Sequence, residues 1–109
     1  MIIVAVRDLV FRSKIQAAAE RLGVPVKHLP RGAPLADAVR DTPGATVLAD
    51  LGEPGLLDQI PPARQAGASV VGFLGHLRED LMARAAAAGV DEVLTRGQFV
   101  ARLDELLRR

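Results

Sequence analysis

At 109 residues, half apolar and a quarter charged, the chain reads as one domain spanning residues 1–109. It has no cysteine, which excludes disulfides and cysteine-rich zinc sites. A net charge of +1, no Trp or Tyr and only three Phe exclude both a global field and a stacking platform for nucleic acid.

The chain begins MIIVAVRDL, an apolar run broken at Arg7. It lacks the charged start, long apolar middle and cleavage site of a signal peptide. No apolar stretch reaches the length needed to cross a bilayer, so the expected compartment is the cytoplasm, with no membrane partner. Arginine outnumbers lysine twelve to two and asparagine is absent, a bias that fits a GC-rich genome and a thermophile.

Ile2 to Val6 is short and rich in β-branched residues, which predicts a first strand. From Asp8 the period becomes helical: Phe11, Ile15, Ala18, Ala19 and Leu22 share a stripe, with Asp8 as N-cap and Gly23 as C-terminal stop. Arg12, one turn after Asp8, is an expected partner for it. Pro25 to Leu29 reads as an edge strand, because it carries Lys27 and His28 behind a leading proline. A short helix follows from Pro34 and ends before Thr42-Pro43-Gly44.

Ala45 to Asp50 and Ser69 to Gly75 are continuous apolar runs, the mark of strands covered on both faces. The helix between them starts at GLLDQI, and Pro61 and Pro62 are expected to interrupt or finish it. After the fourth strand, Leu77, Leu81, Ala85 and Ala88 share a helical face that Gly89 closes. Asp91 to Thr95 is the fifth strand. A last helix is expected to turn Phe99, Val100, Leu103, Leu106 and Leu107 inward, with Arg108 and Arg109 at its negative end.

Strands joined through helices lie parallel, and right-handed crossovers place helices on both sheet faces. The expected fold is α/β, a flavodoxin-like three-layer sandwich with a five-stranded parallel sheet in the order 2-1-3-4-5. Ligands of such sheets bind beyond the carboxyl ends of the strands, at the switch between the first and third. The residues there are Arg7, Asp8, Arg12, Asp50, Glu53, His76 and Arg96, the candidate functional site. Two histidines and no cysteine offer no transition-metal spacing, and RDLVFR leaves no room for a glycine-rich phosphate loop.

Two stretches carry a resemblance over nearly the full length. Asp50-Leu51-Gly52-Glu53-Pro54-Gly55 is similar to the phosphoacceptor Asp and following Pro-Gly of response-regulator receiver domains, and AGVDEVLTR, Ala88 to Arg96, resembles the AGADDYLxK that leads into their fifth strand. The resemblance implies the same receiver-type fold and makes Asp50 the phosphoacceptor equivalent. The departures imply a degenerate member, a pseudo-receiver. Where receivers place two adjacent acids for Mg²⁺, this chain has Ala5 and Val6, or Val6 and Arg7; the hydroxyl residue after the fourth strand is Leu74 or Gly75; the Lys-Pro pair is Arg96-Gly97.

Asp50 is therefore read as a structural acid paired with Arg96 or Arg7, with phosphoacceptor as the sharper alternative, and Mg²⁺ is not expected. His76 could serve as a general base beside Asp50, but a polar loop residue is the simpler reading. The expected function is a signalling or regulatory module, not an enzyme and not phosphorylated, that acts by protein–protein interaction. By resemblance, its partner or second copy meets the face of the fourth helix, fifth strand and last helix, with contacts at Arg84, Asp91, Glu92, Arg102 and Glu105. The alternatives are a small anionic ligand-binding domain at the carboxyl ends of strands 1, 3, 4 and 5 and, more weakly, a working phosphoacceptor receiver.

Overall fold

Hydrophobic alternation and continuous apolar strands divide the chain into five β/α units. In the computed structural model, which describes residues 1–75 and 78–109, they are β1 (Ile2–Ala5), α1 (Leu9–Leu22), β2 (Val26–His28), α2 (Leu35–Arg40), β3 (Thr46–Asp50), α3 (Leu56–Gln65), β4 (Ser69–Leu74), α4 (Glu79–Ala88) and β5 (Glu92–Thr95). Two short helices, α5 (Arg96–Ala101) and α6 (Leu103–Leu107), complete the chain. All strand pairs are parallel and the order is β2-β1-β3-β4-β5, as expected.

Side chains alternate across the sheet with the strand period of two. Ile3, Val47, Ala49 and Val70 point to one face, against Leu35, Ile60 and Ala85 from α2, α3 and α4. Ile2, Val4, Leu48, Val71 and Phe73 point to the other, against Ile15 of α1, Phe99 of α5 and Leu106 of α6. Burying a large apolar side chain stabilises by roughly 1.5–3 kcal/mol. The three Phe rings form one stack in this second layer, with Phe73–Phe99 centroids 4.5 Å apart and Phe11–Phe73 centroids 5.0 Å apart. Core packing is thus where the phenylalanines go.

Helix α1 ends as its sequence predicts. The Asp8 carboxylate accepts from the Val10 and Phe11 amides at 2.9 and 3.2 Å, and Gly23 takes the left-handed turn at φ 67°. Helix α3 corrects an expectation, because it runs through Pro61 and Pro62 to Gln65. Each proline lacks an N–H for the carbonyl four residues back, but both lie on the exposed side. Leu57, Ile60 and Ala63 on the opposite side are buried against the sheet and hold the helix together. The last helix is also corrected: it breaks at Arg102, and Val100 is 42% exposed rather than inward. A capping box starts this segment, with the Gln98 amide donating to the Thr95 hydroxyl and the Thr95 amide donating to the Gln98 side chain, both at 3.0 Å.

Leu77, expected on the face of α4, lies outside the described residues, whereas Leu81, Ala85 and Ala88 pack on the first core layer and Gly89 closes the helix at φ 99°. No helix among the described residues is long and apolar enough to cross a membrane.

Candidate functional site

Asp50 is the last residue of β3, and it stands half-buried at the carboxyl end of the sheet. The register aligns Ala5 with Ala49, so Val6 comes level with Asp50 on one side, while Phe73 lies opposite on the other. Both neighbours are apolar and buried. Burial pushes the Asp50 carboxyl above its ordinary range. The Gly52 amide, which donates to Oδ1 at 3.0 Å, and the charge of Arg96 oppose that rise, and the charge of Asp8 adds to it.

The expected ion pairs of this acid are not formed. Among the described residues Asp50 has no salt-bridge partner. Arg7 turns instead to Glu53, whose side chain is mostly sheltered (13% exposed). The Arg96 guanidinium lies over the Phe11 ring at 5.2 Å, beside Gly75, and acts on Asp50 only through space. Asp8 does not pair with Arg12 either, because its carboxylate caps α1.

The candidate residues therefore fall into two groups. Asp8, Asp50 and Arg96 are electrostatically coupled at the carboxyl end of the sheet. Arg7, Arg12 and Glu53 line a neighbouring cleft of about 600 Å³. Arg31 and Gln59 also line it, and the sequence reading missed both. His76 lies outside the described residues.

Mg²⁺ requires several hard oxygens in a near-octahedral array. Among the described residues no three His, Asp or Glu side chains are grouped to hold a metal ion. The positions beside Asp50 on β1 are filled by Ala5 and Val6, and Asp8, whose charge reaches Asp50, has Oδ1 committed to two helix amides. This donor set does not fit Mg²⁺.

On the candidate partner face, most charges are already engaged. Arg102 and Arg109 both grip Glu105, with N···O distances of 3.0 and 2.9 Å, and both reach Glu92 at 3.5 and 3.4 Å. Double engagement holds the Glu105 carboxyl down at about 2. Asp91 is held at the opposite end of the sheet from Asp50, where it accepts from the Val70 amide at 2.7 Å and from Arg64 at 3.0 Å. Arg84 is exposed and forms no ion pair among the described residues. The Arg64–Asp91 pair and the reach of Arg109 to Glu92 had no local signal in the sequence, since those partners come from distant elements.

No family model matches this chain, and no curated protein does. Solved structures do. A response regulator from Burkholderia pseudomallei, solved with a phosphorylated aspartic acid, a calcium ion and citrate, is similar at 19% identity and a TM-score of 0.78. The match covers 97% of this chain and 65% of that one, so this chain spans less than two thirds of that protein. The signal receiver domain of a response regulator from Bermanella marisrubri is similar at 21% identity, over 96% of this chain and 95% of that one, with a TM-score of 0.74. The beryllofluoride-activated NtrC4 receiver domain, determined as a dimer, is similar at 15% identity, over 98% and 95%, with a TM-score of 0.75. The chain thus has the fold of response-regulator receiver domains.

Proposed function

We propose that the chain is a receiver-fold regulatory module that works through protein contacts, takes up no phosphoryl group at Asp50 and catalyses no reaction. The observation that carries this reading is the company of Asp50: buried Ala5 and Val6 on the β1 side, Leu74 at the end of β4 with Gly75 after it, and a guanidinium over the Phe11 ring. Phosphoryl transfer depends on metal ions and fixed donors that neutralise charge at the transferred group. Here the carboxylate is partly desolvated and, among the described residues, no metal ligand set stands beside it, which disfavours its ionised, attacking form.

The face of α4, β5 and the α5–α6 pair is the proposed contact surface. Its charges alternate and are locked by mutual ion pairs, so they present a fixed pattern to a partner or a second copy. Val100 and Met82 contribute exposed apolar area near it, and Arg84 an exposed charge that forms no ion pair among the described residues. The setting is the cytoplasm.

Incubation with acetyl phosphate and Mg²⁺, followed by intact-mass measurement, tests the first half of the reading. The expected spectrum shows no phosphoryl adduct; an adduct that disappears in Asp50→Asn would overturn it. For the second half, Arg84→Glu is expected to weaken association in sedimentation or pull-down assays, while Arg12→Ala leaves it intact.

A further inference from the structure

The cleft opens at the carboxyl end of the sheet over β1, between the turns that follow β2 and β3, and Asp50 does not line it. The link after β1, the turn after β2 and the turn after β3 enclose it. Gln59 fixes its floor, because the side chain reaches from α3 to accept the Leu35 amide at 2.8 Å.

Its charge is unbalanced. Three guanidinium groups, Arg7, Arg12 and Arg31, face one carboxylate, Glu53. Arg7 takes that carboxylate, and neither Arg12 nor Arg31 forms an ion pair among the described residues. The charge of Arg12 is felt locally: after burial, it is the second cause holding the His28 imidazole below its ordinary range. Asp8, whose carboxylate caps α1, does not line the cleft. The remaining wall is apolar, built from Leu9, Leu29, Pro34 and Leu56, and Leu9 stands 73% exposed at the rim. A volume of about 600 Å³ suits a small molecule rather than a bare ion.

We infer that this cleft binds a small organic anion, with its phosphate or carboxylate head held by Arg12 and Arg31 and its apolar body against Leu9 and Leu29. Guanidinium forks recognise both heads by paired, charge-assisted hydrogen bonds. This goes beyond the regulatory reading: it gives the module a ligand input that is independent of Asp50.

The test is a ¹H–¹⁵N NMR titration of the full chain with phenyl phosphate, benzoate and inorganic phosphate in parallel. Saturable shifts are expected at Arg12, Arg31, Gly32 and Leu56, with phenyl phosphate or benzoate binding more tightly than inorganic phosphate. The tighter of the two organic anions identifies the head group. Arg12→Ala and Arg31→Ala should each weaken binding by about tenfold or more, while Arg84→Ala changes nothing and the β3 and β4 resonances stay in place. Three results would overturn the inference: affinity unchanged in both cleft variants, equal affinity for inorganic and phenyl phosphate, or shifts centred on Asp50 and Gly52. The last would place the anion at Asp50 and revive phosphoacceptor chemistry, so the two readings fail separately.

Discussion

Gly72, in the middle of β4, is the point where the sheet makes room for the residue after Asp50. A Cβ at Gly72 would stand 2.5 Å from both Cγ and Cδ1 of Leu51 and 2.8 Å from Cδ2. Carbon atoms pack at about 3.5–4.0 Å, so Gly72→Ala demands roughly 1 Å of movement. Leu51 cannot swing into solvent, because it is only 2% exposed and its amide is tied to the Phe73 carbonyl at 3.0 Å. Overpacking of this kind costs about 1–3 kcal/mol, and replacing a mid-strand glycine returns about 0.5–1 kcal/mol. The mid-range values leave a net loss of about 1 kcal/mol, with Tm falling by about 4–8 °C for each kcal/mol. Chemical denaturation followed by far-UV circular dichroism is the assay, since the chain has no Trp or Tyr to serve as a fluorescent probe. Leu51→Ala alone empties a buried site at about 2–5 kcal/mol. The double variant should lose less than the sum of the two, because the added methyl occupies part of the vacated space. A Gly72→Ala protein as stable as the parent, or losses that simply add, would refute the reasoning.

Asp8→Ala should destabilise the protein by about 0.5–2 kcal/mol through loss of the α1 cap, read as a drop in denaturation midpoint. Asp50 has a raised folded pKa, so its contribution to stability is fully present below its ordinary range and is lost as pH rises through the raised value. Asp50→Asn is therefore expected to be more stable than the parent near neutrality, an advantage that shrinks as the solution is acidified toward about pH 4; a variant less stable at neutral pH would contradict this. Glu105 shows the opposite sign. Its carboxyl should titrate near 2 by ¹³C NMR, so its stabilising contribution persists above the ordinary glutamate range and fades as pH falls toward that value. A midpoint at 4.5, the ordinary value, would mean that the Arg102–Arg109 grip does not persist in solution.

Much of the architecture was legible because it rests on local periodicity. The unbroken apolar runs at Thr46–Asp50 and Ser69–Leu74 mark central strands, and the polar residues of Val26–His28 mark an edge. Helix ends with side-chain or glycine caps, Asp8, Gly23 and Gly89, were equally readable. What failed depended on tertiary context. Pro61 and Pro62 do not stop α3, because both face water while the opposite side is anchored in the core. Val100 follows a helical stripe on paper but turns outward once the helix breaks at Arg102.

At the site, position was legible and partnership was not. Placing Asp50 at the end of a buried strand needs only the strand pattern. Which guanidinium answers it depends on side-chain reach and competing partners: Glu53 claims Arg7, and the Phe11 ring claims Arg96. Arg31 escaped notice for a similar reason, since only the parallel register of β2 beside β1 brings its turn next to Arg12.

The central claim is that Asp50 keeps its place in the fold without the chemistry that place serves in phosphorylated receivers. A ¹H–¹⁵N NMR titration with Mg²⁺ and then beryllofluoride, run in parallel on Asp50→Asn, tests it most directly. The account predicts spectra that do not change around Asp50, Gly52 and Glu53 in either protein. Saturable shifts at those residues that vanish in Asp50→Asn would contradict it and make this chain a working phosphoacceptor.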